Sequence, residues 1–378
     1  MANAGGAGTP GGSTPGTAVP KILFVSSHAT LAGSERVLED LLTTLPASAV
    51  ADVVVLQEGA FVSRLRDLGL PVTVLATAGS PAAVARGAAR LARRLRAVRP
   101  DVVHANGVKA AVLSVLAAPR TPVVWMKHDV SLDGRAGRLV ARRCAAVAGV
   151  STEVGRAVAG SGRSVVVHPG VRVDVEQAGR EGAALRRRLA LQGPLVSVVG
   201  RLDPAKGHAE LLEAMPDVLR AVPDVTALLV GGDDPQHPGH REALRRRADE
   251  LGVAGSVVLL GHEPAQAVLA VSRAVCVPTV PRADGSGREG FGLVAAEALA
   301  LGVPVVGYDV GATGEVLAGC GELVAPGDRA ALAGRLVAVL TDDALTARLA
   351  DCGRDRAGAL SIERMTEQML ALYRQAAA

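Results

Sequence analysis

The chain alternates short apolar runs with amphipathic stretches from Lys21 onward. The apolar runs lack the polar alternation of a half-buried strand, which is typical of strands buried on both faces of a parallel sheet. Predicted strands in the first half are Lys21–Ser26, Asp52–Leu56, Val72–Leu75, Asp101–His104, Val123–Met126 and Ala146–Val150. In the second half they are Leu195–Gly200, Thr226–Val230, Ser256–Leu260, Ala274–Pro278, Pro304–Tyr308 and Glu322–Val324. Helical periodicity between the strands predicts an α/β protein with doubly wound sheets.

The strand pattern restarts near Leu195, after the polar stretch Arg172–Gln192, which predicts two Rossmann-like domains facing across a cleft. We expect a first domain at 21–190 and a second at 191–360. A C-terminal helical segment at 361–378 would pack back on the first domain. Residues 1–20 carry no charged side chain and no apolar core, so we expect a disordered leader that is neither signal peptide nor anchor.

The composition excludes several classes of function. Aromatic residues make up only 2% of the 378 residues, which argues against stacking single-stranded nucleic acid or sugar rings on aromatic faces. The formal net charge of +4 is too small to indicate binding of a polyanion over the whole surface, so we expect no nucleic-acid partner.

The four cysteines, Cys144, Cys276, Cys320 and Cys352, show no paired spacing. We therefore expect all four to be free, buried side chains in a reducing compartment, which favours a cytoplasmic protein. No uninterrupted apolar run reaches the ~18 residues that a membrane span needs.

The loop after the strand Leu195–Gly200 combines glycine with two cations, Arg201 and Lys206, before a predicted helix at Gly207–Ala221. Arginine offers a planar fork to a phosphate and lysine a point charge, and the helix N-terminus adds backbone donors. This arrangement indicates an anion site that begins at Gly200. The alternative, which the pattern leaves open, is a pair of solvated surface charges with carboxylate neighbours.

A second motif, Arg288–Glu297, follows the strand Ala274–Pro278 and is predicted to open a helix running to about Leu301. Gly290 and Gly292 allow a tight turn and close backbone approach to a phosphate. At a rise of ~1.5 Å per residue, we expect Glu289 and Glu297 to be about 12 Å apart along the helix axis, too far for a glycosidase acid/base dyad. They would instead bracket an elongated ligand. Alternatively, Glu297 is only a helix N-terminal residue favoured by the dipole.

Several nucleotide-binding motifs are missing from the sequence. There is no G-x-x-x-x-G-K-[ST], no G-x-G-x-x-G after the first strand, no D-x-D, and no His/Cys cluster with metal spacing. A P-loop enzyme is excluded and a standard dinucleotide site is disfavoured. We expect no metal site and no cofactor, because Arg201, Lys206 and helix N-termini would neutralise a bound diphosphate.

These motifs together resemble retaining GT-B glycosyltransferases of the family 4 (group 1) type. The resemblance rests on Gly200-Arg201-Leu202 with Lys206-Gly207, on Glu289-Gly290-Phe291-Gly292-Leu293 with Glu297-Ala298-Leu299, and on Gly302-Val303-Pro304-Val305-Val306. It is strongest from Leu195 to about Pro326. It implies that the first domain is the acceptor side and that the second binds the donor.

The resemblance also implies roles for individual residues. Arg201 and Lys206 would hold the donor diphosphate, and Glu289 would contact hydroxyls of the donor sugar. The backbone around Phe291, Gly292 and Leu293 would contact the phosphates and the sugar, and Glu297 would accept hydrogen bonds from the ribose. The implied catalytic set is Arg201, Lys206, Glu289 and His128, and the implied donor-binding set is Gly33, Gly200, Gly290, Phe291, Gly292, Leu293 and Glu297.

Two of these residues come from loops of the first half. Leu31-Ala32-Gly33-Ser34-Glu35 is similar to the family's glycine-rich turn, although Ala32 stands where the first glycine is usual. Gly33 would approach the donor or the acceptor. Lys127-His128-Asp129 resembles the family's histidine loop, so His128 would touch the transferred sugar. The long loop between Pro278 and Glu289, which holds Asp284–Gly287, is expected to form a flap.

The function that the resemblance implies is transfer of a hexosyl unit from a nucleotide diphosphate sugar, UDP- or GDP-linked, to an acceptor hydroxyl that the sequence does not identify. The donor sugar is a substrate, and no metal is implied. Alternatives in the same fold are a nucleotide-sugar epimerase, a sugar phosphorylase and a non-catalytic nucleotide-sugar binding protein. A dinucleotide oxidoreductase ranks lowest.

The predicted helix Pro81–Val98 places apolar residues on one face and arginines on the other. One interpretation is peripheral docking on an anionic membrane, at the inner face of the cytoplasmic membrane. The apolar face, however, is needed to cover the sheet and carries no Trp or Phe. A solvated basic face is therefore the favoured interpretation.

Overall fold

The computed structural model describes residues 19–78, 80–282 and 287–378. Of the predicted leader, residues 1–18 lie outside this range. So do residues 283–286 of the expected flap. The described residues form two parallel sheets with helices on both faces, which confirms the predicted fold class.

The first sheet contains seven parallel strands among the described residues. They are β1 (Ile22–Ser26), β2 (Val50–Val55), β3 (Val72–Val74), β4 (Val102–Asn106), β5 (Val123–Lys127), β6 (Ala146–Gly149) and β7 (Ser164–Val166). The spatial order is β3-β2-β1-β4-β5-β6-β7, so the direction of winding reverses between β1 and β4. Loops at the carboxyl ends of these two strands therefore diverge and leave a crevice.

Helices cover both faces of this sheet. They are α1 (Gly33–Thr44), α2 (Ala60–Asp67), α3 (Pro81–Val98), α4 (Val108–Ala117), α5 (Gly134–Arg143) and the short α6 (Thr152–Arg156). Leu38 of α1 and Phe61 of α2 share a core with Phe24, whereas Leu91 of α3 and Leu113 of α4 lie in the core of the opposite face. The central strands are thus buried on both sides, as their uninterrupted apolar runs predict, whereas the edge strands β3 and β7 contain no fully buried residue.

The second sheet contains six parallel strands among the described residues. They are β8 (Leu195–Val199), β9 (Thr226–Val230), β10 (Val257–Leu260), β11 (Ala274–Val277), β12 (Val305–Tyr308) and β13 (Glu322–Val324), in the order β10-β9-β8-β11-β12-β13. Winding reverses between β8 and β11. The two motifs singled out in this half follow these two neighbouring strands, so the fold brings them to one crevice.

Helix α7 (Val175–Arg188) connects the two sheets. The helices of the second sheet are α8 (His208–Ala221), α9 (His240–Glu250), α10 (Ala265–Val271), α11 (Leu293–Ala300), α12 (Thr313–Leu317), α13 (Arg329–Thr341) and α14 (Asp343–Gly358). The polar stretch that separates the two strand patterns is therefore mostly the helix α7.

The last helix, α15 (Ile362–Ala377), returns to the first sheet. It packs against α1, β4 and β5, and the hydroxyl of Tyr373 lies 2.7 Å from Nδ1 of the buried His104. The chain passes between the sheets twice, and the two passages lie side by side. The amide of Val171 donates to the carbonyl of Leu360 at 2.9 Å.

All twelve predicted strands overlap observed strands, with ends that differ by at most two residues. The structure adds β7 (Ser164–Val166), which the apolar pattern did not indicate. Val165 and Val166 are exposed because this short strand lies at the edge of the sheet, so it does not show the long apolar run of a central strand. The predicted bounds of α3 are confirmed.

The prediction of four free cysteines is wrong for Cys320 and Cys352, which form a disulfide with a Cα–Cα distance of 5.3 Å. The bridge joins the turn after α12 to α14, which packs on α11, so the two residues meet through tertiary packing over a sequence separation of 32. Cys144 and Cys276 are free and buried, as expected. The cysteines therefore no longer support a reducing compartment.

Candidate functional site

The loop after β8 presents Gly200, Arg201 and Lys206 at the carboxyl end of the second sheet. Arg201 is largely exposed, and its Nη1 lies 3.4 Å from Oδ1 of the buried Asp234. Asp203 starts the short turn Pro204–Lys206 by accepting the amide of Ala205 at 2.9 Å. The guanidinium of Arg201 thus has a carboxylate neighbour, Asp234, as the alternative of a solvated surface charge also predicts.

Lys206 joins the two motifs that the sequence separates by 83 residues. Its Nζ donates to Oε2 of Glu289 at 2.8 Å, and both side chains are about two thirds or more buried. A partly buried lysine–glutamate pair places one positive and one negative group where a ligand with a phosphate next to a hydroxylated ring would meet both. Arg201 takes a different partner and does not share this pair.

The turn Glu289–Leu293 fits between the two domains because it contains glycine. A Cβ on Gly290 would lie 2.2 Å from the carbonyl oxygen of His128, so only glycine permits this approach to the histidine loop. Gly292 has φ +98° and precedes α11 without a side-chain cap. The first amides of α11 therefore remain available to an anion.

Leu293 and Phe291 carry this turn onto the first domain. Leu293 approaches Gly33, where an added Cβ would lie 3.2 Å from its Cδ1. Phe291 is buried, with its ring centroid 5.8 Å from that of His168. The structure thus brings Gly33 to Leu293 and His128 to Gly290, with the turn that holds Glu289 between them.

Glu297 is buried inside the crevice, with 1% of its side chain exposed. Its Oε1 accepts from Nη2 of Arg36 at 2.7 Å and from Nε2 of Gln266 at 3.3 Å. Its Oε2 is buried and has no hydrogen-bond partner among the residues that the structure describes. Leaving such an oxygen unsatisfied is unfavourable, so Oε2 is a ready acceptor for a ligand hydroxyl.

The observed helix begins at Leu293, and Glu289 lies in the turn before it. The separation of about 12 Å along one helix axis therefore does not describe Glu289 and Glu297, because the two are not on the same helix. The structure gives them different partners: Lys206 for Glu289, and Arg36 and Gln266 for Glu297.

His128 follows β5 at the floor of the crevice. Its Nε2 lies 2.6 Å from Oδ1 of the buried Asn106, whose Nδ2 donates to the carbonyl of Ser34 at 3.2 Å. Burial lowers the pKa of His128 to about 4, so the ring is neutral at physiological pH. Because Asn106 presents its oxygen, His128 donates from Nε2 and keeps Nδ1 as an acceptor.

Sequence reasoning missed the residues that hold these groups in place: Arg36, Asn106, Asp234 and Gln266. Arg36 and Gln266 contact Glu297, Asn106 orients His128, and Asp234 anchors Arg201. Arg36 follows directly after the glycine-rich turn at Gly33. Its position next to that turn was the one available signal, and nothing in the spacing shows its partner.

Asp203, Asp234 and His237 are the group of the described residues that could hold a metal, with ligand atoms within 4.8 Å of one another. Asp203 already pairs with Arg282 at 2.6 Å, and Asp234 lies beside Arg201 and accepts from His237. Two guanidinium groups thus stand against these carboxylates, an arrangement that repels a cation.

The domains also meet away from the crevice. Glu315 of α12 accepts from the amide of Thr152 at 2.8 Å and lies 2.6 Å from Nε2 of His168. Hydrogen bonds from His168 and Thr152 lower the pKa of Glu315, outweighing burial, which alone would raise it. Arg288 pairs with Glu153 at 2.8 Å. The second domain is thus tied to the loops of α6.

The outer surface of α3 is separate from the crevice. Arg86, Arg90, Arg93 and Arg96 are exposed there, and Arg94 pairs with Asp52 at 2.7 Å. No helix of the described residues is both long enough and apolar enough to cross a membrane.

Two Rossmann-like domains whose ligand-binding loops face each other across a crevice define the GT-B class of glycosyltransferase. Residues 31–175 match the family model described as Glycosyltransferase Family 4, and residues 193–342 match the model described as Glycosyl transferases group 1. The chain belongs to this family of glycosyltransferases.

Similar proteins agree with this assignment. The D-inositol 3-phosphate glycosyltransferase of Corynebacterium urealyticum is 33% identical over 220 residues, which cover 56% of this chain and 51% of the relative. The GDP-mannose-dependent alpha-(1-6)-phosphatidylinositol monomannoside mannosyltransferase of Mycolicibacterium smegmatis is 32% identical over 253 residues, 65% of this chain and 61% of the relative. The matches thus span about half to three fifths of these relatives.

The fold comparison covers nearly the whole chain. The structure is similar to that of Anabaena HepE in complex with UDP-glucose, with a TM-score of 0.79 and 25% sequence identity over 93% of this chain and 98% of the other. A glycosyltransferase from Rickettsia africae superposes with a TM-score of 0.84 at 17% identity, over 94% of this chain and 98% of the other, which is a likeness of fold.

Proposed function

We propose that the chain is a retaining, metal-independent hexosyltransferase that uses a UDP- or GDP-sugar and an acceptor hydroxyl, in the synthesis of a glycan, a glycolipid or a glycosylated metabolite. The observation that carries the proposal is the buried, unpartnered Oε2 of Glu297 in the same crevice as the Lys206–Glu289 pair. UDP-glucose bound to HepE and the GDP-mannose dependence in the name of the mycobacterial relative support the class of donor.

In this proposal the donor phosphates lie between Arg201, Lys206 and the uncapped start of α11 at Gly292. These groups stabilise the charge that develops on the diphosphate as the sugar leaves, because they are fixed before the reaction begins. Two side-chain cations and the helix N-terminus supply the positive charge that a divalent metal supplies elsewhere. Activity should therefore persist in EDTA.

Glu289 contacts hydroxyls of the transferred sugar in this scheme, and Glu297 accepts a ribose hydroxyl at Oε2. His128, neutral and oriented by Asn106, contacts the sugar without carrying charge. With retention, the acceptor hydroxyl attacks from the face that the diphosphate leaves. The acceptor proton passes to a departing phosphate oxygen, so no second carboxylate is needed as a base.

Replacing Arg201 or Lys206 by alanine tests the proposal. We expect each change to lower kcat for transfer or donor hydrolysis by about 10²- to 10³-fold, because a fixed positive group near the leaving phosphate is lost. The matched control is Arg220→Ala, an exposed arginine on α8 paired with Asp217. Near wild-type rates in both site variants would show that the assigned donor site is wrong.

Inositol compounds are the first acceptors to assay, since the names of both relatives include inositol 3-phosphate or a phosphatidylinositol mannoside. NMR of the new glycosidic bond then reports its anomeric configuration. The same anomer in donor and product supports retention, and the opposite anomer excludes it.

Peripheral membrane association through α3 and a location at the inner face of the cytoplasmic membrane complete the proposal. Four exposed arginines on one helix would attract anionic headgroups. Cosedimentation with phosphatidylglycerol vesicles tests the association. Binding that is equally weak to neutral and anionic vesicles would leave α3 as a solvated basic face.

A further inference from the structure

Arg36 reaches across the crevice from the first domain to a carboxylate of the second. It lies in the first turn of α1, and its Nη2 donates to Oε1 of Glu297 at 2.7 Å. The two residues are 261 positions apart in the chain. The guanidinium is 46% exposed, whereas the carboxylate is almost completely buried. The buried charge of Glu297 is therefore neutralised by a residue of the other domain.

A second donor fixes the same oxygen. Nε2 of Gln266 lies 3.3 Å from Oε1 of Glu297 and also donates to the carbonyl of Arg172 at 2.7 Å. Two donors on Oε1 determine the rotation of the carboxylate, and within the described part of the chain no donor reaches the buried Oε2. The carboxylate thus presents one chosen oxygen for a new hydrogen bond.

The charges around Arg36 explain why this contact persists. Burial lowers the pKa of Arg36, but attraction and hydrogen bonding from Glu297, with smaller contributions from Asp40 and Glu39, raise it overall. Asp40 lies one turn further along α1. Removing the guanidinium would leave the buried Glu297 carboxylate held by Gln266 at 3.3 Å without the shorter hydrogen bond from Arg36, so the carboxylate would be free to reorient.

We propose that Arg36 is a positioning residue for donor recognition: by holding Oε1 of Glu297, it directs Oε2 to a ribose hydroxyl of the nucleotide. This inference rests on the proposed function, which places the ribose on Glu297. It adds that selection of a ribonucleotide in the second domain depends on a side chain of the first domain.

The experiment compares the dissociation constants of UDP and GDP with those of their 2′-deoxy and 3′-deoxy forms by calorimetry. A hydrogen bond to a charged group is worth about tenfold in affinity. The wild-type chain should therefore bind the intact ribonucleotide about tenfold more tightly than the deoxy form that lacks the hydroxyl bound by Glu297. Arg36→Ala should reduce the preference to less than about threefold. Arg36→Lys, which keeps the charge but loses the planar fork, should give an intermediate preference.

Two further variants separate positioning from a general loss of structure. In a Glu297→Gln background, the Arg36→Ala change should have no additional effect on the ribose preference, because both act through one hydrogen bond. The matched control is Arg64→Ala, which removes an exposed arginine paired with Glu39 on the same domain. It should leave the preference unchanged.

An equal loss of affinity for ribose and deoxyribose forms in Arg36→Ala would overturn the positioning role, as would a preference that survives in both Arg36 variants. A wild-type chain that binds neither UDP nor GDP would overturn the proposed function itself. If only the positioning role fails, the wild-type chain still binds nucleotide. If the proposed function fails, the wild-type chain binds neither nucleotide, so the two failures are distinguishable.

Discussion

At the scale of single residues, the surroundings of Asp40 on α1 disfavour the charged form of its carboxyl group. Burial raises its pKa to about 6, and the nearby guanidiniums of Arg36 and Arg172 compensate only in part. The charged form is thus disfavoured in the folded chain relative to the unfolded chain. Asp40 therefore favours the folded state below its ordinary pKa of 3.8, and this contribution is lost as the pH rises through about 6.

Asp40→Asn should consequently raise the melting temperature at pH 8 and change it little near pH 4. The amide cannot ionise, so the variant avoids the unfavourable charge that the wild-type protein carries above about pH 6. Thermal melts across this pH range provide the measurement. Asp217→Asn, at an exposed position, is the control and should show no pH-dependent difference. A constant gain at all pH values would contradict the assignment.

Residues of the site differ in how far the sequence predicts them. The motifs around Gly200 and Glu289 were predicted to follow strands, and the fold places both beside the crevice because β8 and β11 are neighbours. The partners could not be predicted. Arg36 and Glu297, or Thr152 and Glu315, meet only through packing of the two domains, and no local period encodes such a contact.

At the scale of elements, the turn Glu289–Leu293 is closely packed between the two domains. Gly290 lies against the carbonyl of His128, and the amide of Ala312 donates to the carbonyl of Glu289 at 3.0 Å. The turn is therefore fixed from both sides. Because the turn leads directly into α11, its position determines the direction of the first amides of that helix, which have no side-chain cap.

Gly290→Ala should displace this turn, because the new methyl group would begin 2.2 Å from a backbone oxygen. We expect a loss of about 1–3 kcal/mol in the free energy of unfolding and weaker nucleotide binding. Denaturant melts and calorimetry measure the two effects. Gly255→Ala is the control, since an added Cβ there meets nothing within 4 Å. Equal behaviour of the two variants would show that the turn adjusts freely.

Strands were predictable because a strand of a doubly wound sheet is buried on both faces and reads as an apolar run. The exception, β7, lies at an edge and exposes two valines. The Cys320–Cys352 bridge was not predictable from spacing, because α14 reaches the turn after α12 only in the folded domain. Patterns along the chain thus identified the elements that are buried, and missed what depends on proximity in space.

At the scale of the whole molecule, polar contacts of α12 link the domains on the side of α6, beside an apolar cluster that includes Val154 and Val316. Glu315 carries most of this contact, since one carboxylate receives the Thr152 amide, the Thr152 hydroxyl and the His168 ring. The contact lies outside the crevice. Because it joins residues of both domains, it helps to hold them in their relative position.

Glu315→Ala should loosen this contact and lower the free energy of unfolding by about 1–2 kcal/mol, because the Thr152 amide and the partly buried His168 ring lose a shared acceptor. Hydrogen exchange of the Thr152 amide should accelerate. Glu322→Ala is the control, as it removes a carboxylate that pairs with Arg335 within the second domain. Unchanged exchange at Thr152 would show that water replaces the carboxylate without consequence.

The two passages of the chain between the domains are bonded to each other where the amide of Val171 meets the carbonyl of Leu360. Two separate connections would permit one domain to twist and slide on the other. Two connections that are hydrogen-bonded to each other act as a single hinge. Opening of the crevice is then a rotation of one domain about this hinge, and the residues furthest from the hinge move the most. A small bend at residues 170–171 and 360–361 would then open or close the crevice around a substrate, while each domain moves as a rigid body.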